Sequence, residues 1–394
     1  MLGQRNQNMG DSDECKTDRD SEGFGAWRHD ERLVISRETG YYNRSCCDES
    51  VRVVQALCEA YGVTDGFVTP SGMAAIACAL HAACNASNVW LLHSRQLYSD
   101  TPRLCAHVAN VRKCTRVEFD VTHAQRDLEA AIAAKWSGRK KIPRAVLFVE
   151  AASNPASYML PKSVLEMLRK HVRQLVVIVD NTWLSVQAYN PFRHGADMVV
   201  CSLTKYGSGG TTIAGCVLGY GSGKAMQRAQ KWRRMHGLHV SPHVHALLLD
   251  TLPSQRERVT AAGAVACEVA AFLQSQSDAI AEVLHLSLPS HPSHAQACEV
   301  LTKGVWPAVI AFRVKADKAT AKAWMRACAD IVPHITSFGG PQSRTDPWPR
   351  VAADCTTTWC RLAVGFLDTS EALITKLRRM LDRWHTTSVE ADST

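Results

Sequence analysis

The sequence predicts an α/β protein: a large domain built on a mostly parallel sheet, followed by a smaller α+β domain. Three observations lead there. From about residue 50 to 260 short apolar runs alternate with helical patterns, which is the order expected of strand–helix–strand units. The apolar runs are continuous rather than alternating, as suits strands covered on both faces. After Thr251 the rhythm changes, and longer helical stretches separate fewer strands.

Taken in order, Ser87 to Leu92, Arg144 to Glu150, Leu175 to Asp180 and Met198 to Ser202 read as strands of the large sheet, with amphipathic segments between them. A long helix is predicted from Arg256 to Gln274. A strand follows at Ala308 to Val314, then a helix at Thr320 to Cys328 and a loop over Thr336 to Arg350. A strand at Trp359 to Gly365 and a helix from Thr369 to Trp384 complete the pattern. The predicted division is an arm over 1–45, a large domain over 46–250 and a small domain over 251–394. A chain of 394 residues is long enough to bury a sizeable core.

Composition excludes several classes. A hydrophobic fraction of 46% and a charged fraction of 21% are those of a globular protein. No run approaches the roughly 18 apolar residues of a membrane helix; Ala262 to Leu273, for instance, is broken by Glu268. The first 30 residues are polar and lack the apolar centre of a secretory signal, so they read as an arm. Fifteen cysteines are scattered without a CxxC pair, and Cys58, Cys78, Cys201 and Cys267 lie in apolar segments, where reduced thiols pack as small hydrophobes. A reducing, cytoplasmic location is expected. The net charge of +8 is dispersed rather than gathered in a basic block, which argues against a nucleic-acid partner. Neither His236, His239, His243 and His245 nor His291, His294 and Cys298 presents a closed four-ligand set on an evident scaffold, so no metal is expected.

Three segments carry chemistry. LVVIVDNT, Leu175 to Thr182, is a buried-strand run that stops at Asp180. Ligands of open α/β sheets gather at the carboxyl ends of strands. A buried acid there either pairs with a cation, such as the nitrogen of a protonated pyridine ring, or caps the following turn. Twenty-five residues on, Lys205 follows another apolar run and is preceded by Ser202 and Thr204. Desolvation of such a lysine frees its amine for attack on an aldehyde, and the two hydroxyls can donate to a phosphate; a solvated turn is the alternative. In TPSGMAAIACAL, Ser71, Gly72 and Met73 open an Ala-rich helix whose free amides make an anion site, or simply a capped end.

SGMAAI, SNP at 153–155, VDNTW at 179–183, GAD at 195–197 and SLTKY at 202–206 stand in the order and spacing of the Cys/Met metabolism family of pyridoxal 5'-phosphate (PLP) enzymes. The chain resembles that family strongly from about residue 40 to 218 and more weakly to about 382. The resemblance implies a fold type I, aminotransferase-like large domain and PLP as cofactor. It makes Lys205 the Schiff-base lysine and proton shuttle, and Asp180 the partner of the pyridine nitrogen. Gly72, Met73, Ser202 and Thr204, next to Ser71, become the phosphate cradle. Tyr98 in LYSDTPRL is similar to the tyrosine that stacks on the cofactor ring, and Asn154 to the asparagine near its 3-oxygen. Arg361 in CRLAVG resembles the arginine that grips the substrate α-carboxylate, as a bidentate guanidinium suits, with Ser337 of TSFGG beside it. Tyr42 and Arg44 in YYNRS look like the pair that reaches a neighbouring subunit's phosphate, implying a homodimer or homotetramer with shared sites.

Departures from the family are Cys47, Asp48 and Glu49 after YYNRS, Ser208 to Thr212 after the lysine, and Ser99 to Pro102 after Tyr98. The segment PQSRTDPWPRVAADCTTTW is the least similar. The implied activity is a carbon–sulfur lyase acting on a sulfur amino acid by β- or γ-elimination. Thr336, just before Ser337, matches neither the glutamate of γ-cleaving cystathionine enzymes nor the other usual residues. A γ-synthase acting on an activated homoserine is the alternative. A catalytically idle paralogue kept as a binding subunit is a third reading, and it predicts a damaged cofactor site.

Overall fold

A computed structural model describes residues 47–136, 141–346, 350–351 and 356–391. The strands of the large sheet are β1 (Asp65–Thr69), β2 (Val89–Ser94), β3 (Thr115–Phe119), β4 (Ile142–Glu150), β5 (Val172–Asp180), β6 (Met198–Ser202) and β7 (Gly215–Gly219), in the spatial order β1-β7-β6-β5-β4-β2-β3. Pairings from β3 to β6 are parallel, and only β7 runs against its neighbours β6 and β1. The fold is therefore the mostly parallel α/β sheet expected, with one reversed strand that its length and apolar run do not distinguish from the others.

The continuous apolar runs are explained by burial on both faces. Along β4, Leu147 and Val149 join one hydrophobic cluster while Phe148 joins the other; along β5, Val177 and Val179 divide from Ile178 in the same way. Helices α1 (Asp48–Tyr61), α2 (Gly72–Ala83), α3 (Thr101–Arg112), α4 (Ala124–Lys135), α5 (Lys162–His171) and α6 (Lys224–Met235) belong to this part of the chain. With neither face of the strands in water, their carboxyl ends form a rigid edge on which side chains can be placed.

Helices α7 (Pro242–Thr251) and α8 (Gln255–Gln274) lead to a smaller antiparallel sheet made of β8 (Ile280–Leu284), β9 (Val309–Val314), β10 (Arg344–Thr345), β11 (Arg350–Val351) and β12 (Thr358–Ala363). Its order is β10-β12-β9-β8, with β11 also on β12. Helices α9 (Lys318–Ala327) and α10 (Ser370–Ala391) complete it. The stretch 336–350, expected as a loop, contains the two-residue strand β10, held by pairing with β12 rather than by any propensity of its own.

The described cysteines are all free, and most are buried. Burial pushes the Cys58 and Cys78 thiols up to about 12, so both stay protonated and pack as small hydrophobes. Among the described residues no helix is long and apolar enough to cross a membrane, and no group of three or more His, Cys, Asp or Glu is arranged to hold a metal ion. The histidines have other work. His236 stacks on Trp232 at 3.8 Å between ring centroids, and His245 Nδ1 lies 3.1 Å from the Ser241 carbonyl.

Candidate active site

Strand register builds the site. Ser202, the last residue of β6, lies opposite Gly215, the first of β7, and Gly215 lies opposite Thr69, the last of β1. Strands β1 and β6 both run against β7, so their chains leave the sheet at one edge. At that edge β5 delivers Asp180, with Glu150 of β4 in register beside it.

Helix α2 begins on this line. The Ser71 hydroxyl caps it by accepting from the Ala74 N–H at 3.1 Å, which leaves the Gly72 and Met73 amides outside the helix's own ladder. The backbones are close: a Cβ at Gly72 would lie 2.8 Å from Ser202 Cβ, and one at Gly215 only 2.4 Å from the Ser71 carbonyl oxygen. The two glycines together admit the helix start to the strand ends, giving a concave donor surface suited to an anion. The sequence reading singled out Gly72; Gly215 passed unnoticed because nothing local marks it.

Asp180 is buried. Its Oδ1 accepts from the Thr182 N–H at 2.9 Å, and the Thr182 hydroxyl in turn accepts from the Ser202 N–H at 2.7 Å, tying the acid to β6. Burial pushes the carboxyl up, against the opposing pull of the Thr182 hydrogen bonds. Among the described residues no cation pairs with it. A cationic ligand group arriving there would restore the charge that burial disfavours.

Lys205 follows β6 in a tightly braced turn. The Thr204 hydroxyl donates to the Ala214 carbonyl at 3.2 Å and accepts from the Ala214 N–H at 3.0 Å, so an anion drawing on Thr204 competes with this bond. The departures after the lysine close on themselves, because the buried Ser208 hydroxyl bonds the carbonyls of Thr204 at 3.2 Å and Thr212 at 3.1 Å. Arg258, which the sequence reading missed, donates from Nη2 to the carbonyls of Tyr206 at 2.8 Å and Gly207 at 3.0 Å.

The lysine amine donates to the Ser337 hydroxyl at 2.8 Å and lies 5.3 Å from the centre of the Phe338 ring. Phe338 is itself wedged between Trp183 and Tyr206, with centroids 5.1 and 5.7 Å away. Gly339, at φ +75°, seats this turn on the lysine backbone: a Cβ there would stand 2.9 Å from the Lys205 carbonyl carbon. Burial lowers the Lys205 pKa, and the charges of Arg361 and Arg344 lower it further. The amine is thus biased toward its neutral, nucleophilic form.

From the small sheet, Arg361 of β12 donates through Nη1 to Asn154 Oδ1 at 3.3 Å, and its Nη2 lies 2.5 Å from Asp346 Oδ2. The Asn154 loop is clamped by His291 and Ser293, since His291 Nε2 bonds the Ala156 carbonyl at 2.7 Å and the Ser293 hydroxyl accepts from the Met159 N–H at 3.1 Å. Tyr98 is 47% exposed, and its N–H donates to Glu150 Oε1. Met73 meets the Thr101 hydroxyl through its sulfur at 4.0 Å. Direct bonds therefore join Lys205 to Ser337 and Arg361 to Asn154, while packing joins Gly72 to Ser202. Tyr98 stands on the rim through Glu150. Tyr42 and Arg44 lie outside the described residues. Asp197 of the GAD motif is a brace, accepting from the Val177 N–H at 2.8 Å.

An anion-suited cradle, a buried acid and a lysine shielded from water stand together at one sheet edge, a donor set that suits a phosphorylated, cationic aromatic aldehyde. The chain belongs to the Cys/Met metabolism PLP-dependent enzyme family, whose model matches residues 23–370. It is 28% identical to O-succinylhomoserine sulfhydrylase of Pseudomonas aeruginosa over 319 residues, covering 78% of this chain and 75% of the relative. It is 29% identical to cystathionine gamma-synthase of Escherichia coli, over 82% of this chain and 83% of that one. Cystathionine gamma-synthase of Xanthomonas oryzae pv. oryzae, solved with aminoacrylate and cysteine, superposes with a TM-score of 0.75 at 25% identity, covering 88% of each chain. PLP is thus the cofactor, and the donor set described above fits it.

Proposed function

We propose that the chain is a carbon–sulfur lyase of trans-sulfuration, acting on a sulfur amino acid by β- or γ-elimination. The observation that carries this reading is the half-buried Lys205, its amine 2.8 Å from the Ser337 hydroxyl, next to the edge that holds the buried Asp180. The Gly72 and Met73 amides and Ser202 would hold the cofactor phosphate, Asp180 the ring nitrogen, and Lys205 the aldehyde carbon. When bound, PLP supplies an electron sink for a carbanion at the substrate Cα.

The residues divide the remaining work. Arg361, steadied by Asn154, binds the α-carboxylate and fixes which Cα bond faces the lysine. Lys205 would take the Cα proton at Nζ, and Ser337, which accepts a hydrogen bond from that nitrogen, would hold its position. Asp180 would stand opposite the ring nitrogen, where its charge would keep the sink effective. Tyr98 would cover the ring from the rim. In β-elimination the Cα electron pair would form the Cα–Cβ double bond as the C–S pair leaves with sulfur, which takes a proton and departs as a thiol. In γ-elimination a Cβ proton would have to be removed first, and in both cases water would release the rest as ammonia and a 2-oxo acid. The active unit is a homodimer or homotetramer, with Tyr42 and Arg44 completing a neighbour's phosphate site.

Replacement at Cγ of an activated homoserine is the second reading, favoured by the synthases and sulfhydrylase among the similar proteins. Incubation of the PLP-loaded protein with cystathionine, methionine, cysteine and an O-acylated homoserine, with oxo acid, ammonia and thiol assayed separately, distinguishes the two. Stoichiometric oxo acid, ammonia and thiol from one of the first three is the expected result. Turnover of the acylated homoserine alone, and only with a thiol present, would establish replacement instead.

A further inference from the structure

The guanidinium of Arg361 already holds a carboxylate supplied by the chain. Asp346 Oδ2 lies 2.5 Å from Arg361 Nη2, with side-chain exposures of 14% and 10%. Asp346 is not a wandering loop residue. Its own N–H donates to the Arg361 carbonyl at 3.0 Å, directly continuing the β10–β12 ladder in which Arg344 pairs with Ala363 and Thr345 with Leu362. The preceding Thr345 N–H bonds the Pro333 carbonyl at 2.9 Å, which anchors the same segment from its other side. Strand register therefore places Asp346 directly opposite Arg361 on the same face of the pair.

A pair this shielded is strong, because little water competes for either charge. An incoming α-carboxylate must displace Asp346 or share the guanidinium with it, and sharing places two like charges side by side. Ligand binding becomes an exchange of one carboxylate for another, so the net gain is much smaller than a free arginine would provide.

We propose that Asp346 is a specificity-determining residue: an internal competitor for the substrate carboxylate at Arg361, which lowers the enzyme's affinity for α-amino acids as a class. The proposal rests on the reading of Arg361 as the α-carboxylate receptor. Its consequence is that the wild-type enzyme discriminates weakly between an amino acid and the corresponding amine, and relies on contacts to the rest of the substrate for selection.

The test uses the PLP-loaded enzyme and two probes without a leaving group, L-alanine and ethylamine, which differ by the carboxylate. Their dissociation constants are read from the change in visible absorption. Asp346→Asn and Asp346→Ser should each bind alanine about tenfold tighter than wild type, the size of one charge-assisted contact, and ethylamine as wild type does. Unchanged ethylamine binding certifies an intact site in each variant. Alanine affinity unchanged or weakened in both variants would overturn the proposal, since an acid that merely orients Arg361 gives that result. Arg361→Lys separates the two readings. If it leaves alanine binding unaltered, the receptor assignment itself fails; if it weakens alanine while the Asp346 variants do not tighten it, only the competitor fails.

Discussion

The site is made of two halves that are built in different ways. The half on the large sheet, with Gly72, Asp180, Ser202 and Lys205, is a set of strand ends and one helix start locked by register and by two glycines that leave no room for a Cβ. The half on the small sheet, with Ser337, Asp346 and Arg361, hangs on a short strand pairing and an ion pair. The first is rigid backbone holding an anion cradle; the second is a charge balance that a ligand can rearrange. On the proposed assignment of roles, cofactor retention would belong to one half and substrate affinity to the other.

Substitutions should separate along that line. The largest expected effect is from Lys205→Ala, which would remove both the proposed attachment point and the proposed base; turnover should fall about a thousandfold or more, measured as oxo acid formed. Next, Asp180→Asn leaves a ring nitrogen without its buried counter-charge. Turnover should drop roughly 100- to 1000-fold, with a shifted visible spectrum but an intact fold by circular dichroism. Gly72→Ala forces a methyl against Ser202 and should weaken PLP binding about tenfold, measured by titrating the cofactor-free protein. If that variant kept full PLP affinity and lost substrate affinity instead, the division between the halves would be wrong.

The smallest effect concerns pH and comes from the second half. Burial first, and then the charges of Arg361 and Arg344, hold the Lys205 pKa below the ordinary lysine value. Removing a neighbouring cation relieves repulsion of the ammonium and raises that pKa. Arg344→Ala should therefore move the pH midpoint for reaction of Lys205 with an aldehyde, in the cofactor-free protein, upward by less than about one unit. A downward shift would mean that Arg344 does not act through its charge.

The same contrast governs what the sequence disclosed. Met198 to Ser202 and Arg256 to Gln274 were legible nearly to the residue, because continuous apolar runs and 3.6-residue periodicity report local burial. That Asp180 ends a buried strand, that Lys205 follows one and that Gly72 opens a helix were legible, because each stands at a local boundary of pattern. The reversed strand β7 was not, since direction is set by the partner it finds and leaves no mark in five apolar residues. Gly215 and Gly339 were missed for a related reason: their demand for a missing Cβ comes from backbone remote in sequence. Asp346 lay in the segment least similar to the family, and only the β10–β12 register reveals what it faces.

The most direct test of the central claim is chemical. The PLP-loaded protein is reduced with borohydride, digested and sequenced by mass spectrometry. A pyridoxyl group is expected on Lys205 and on no other lysine, with no label in Lys205→Ala. A label on a different lysine, or a wild-type protein that takes up none, would contradict the claim.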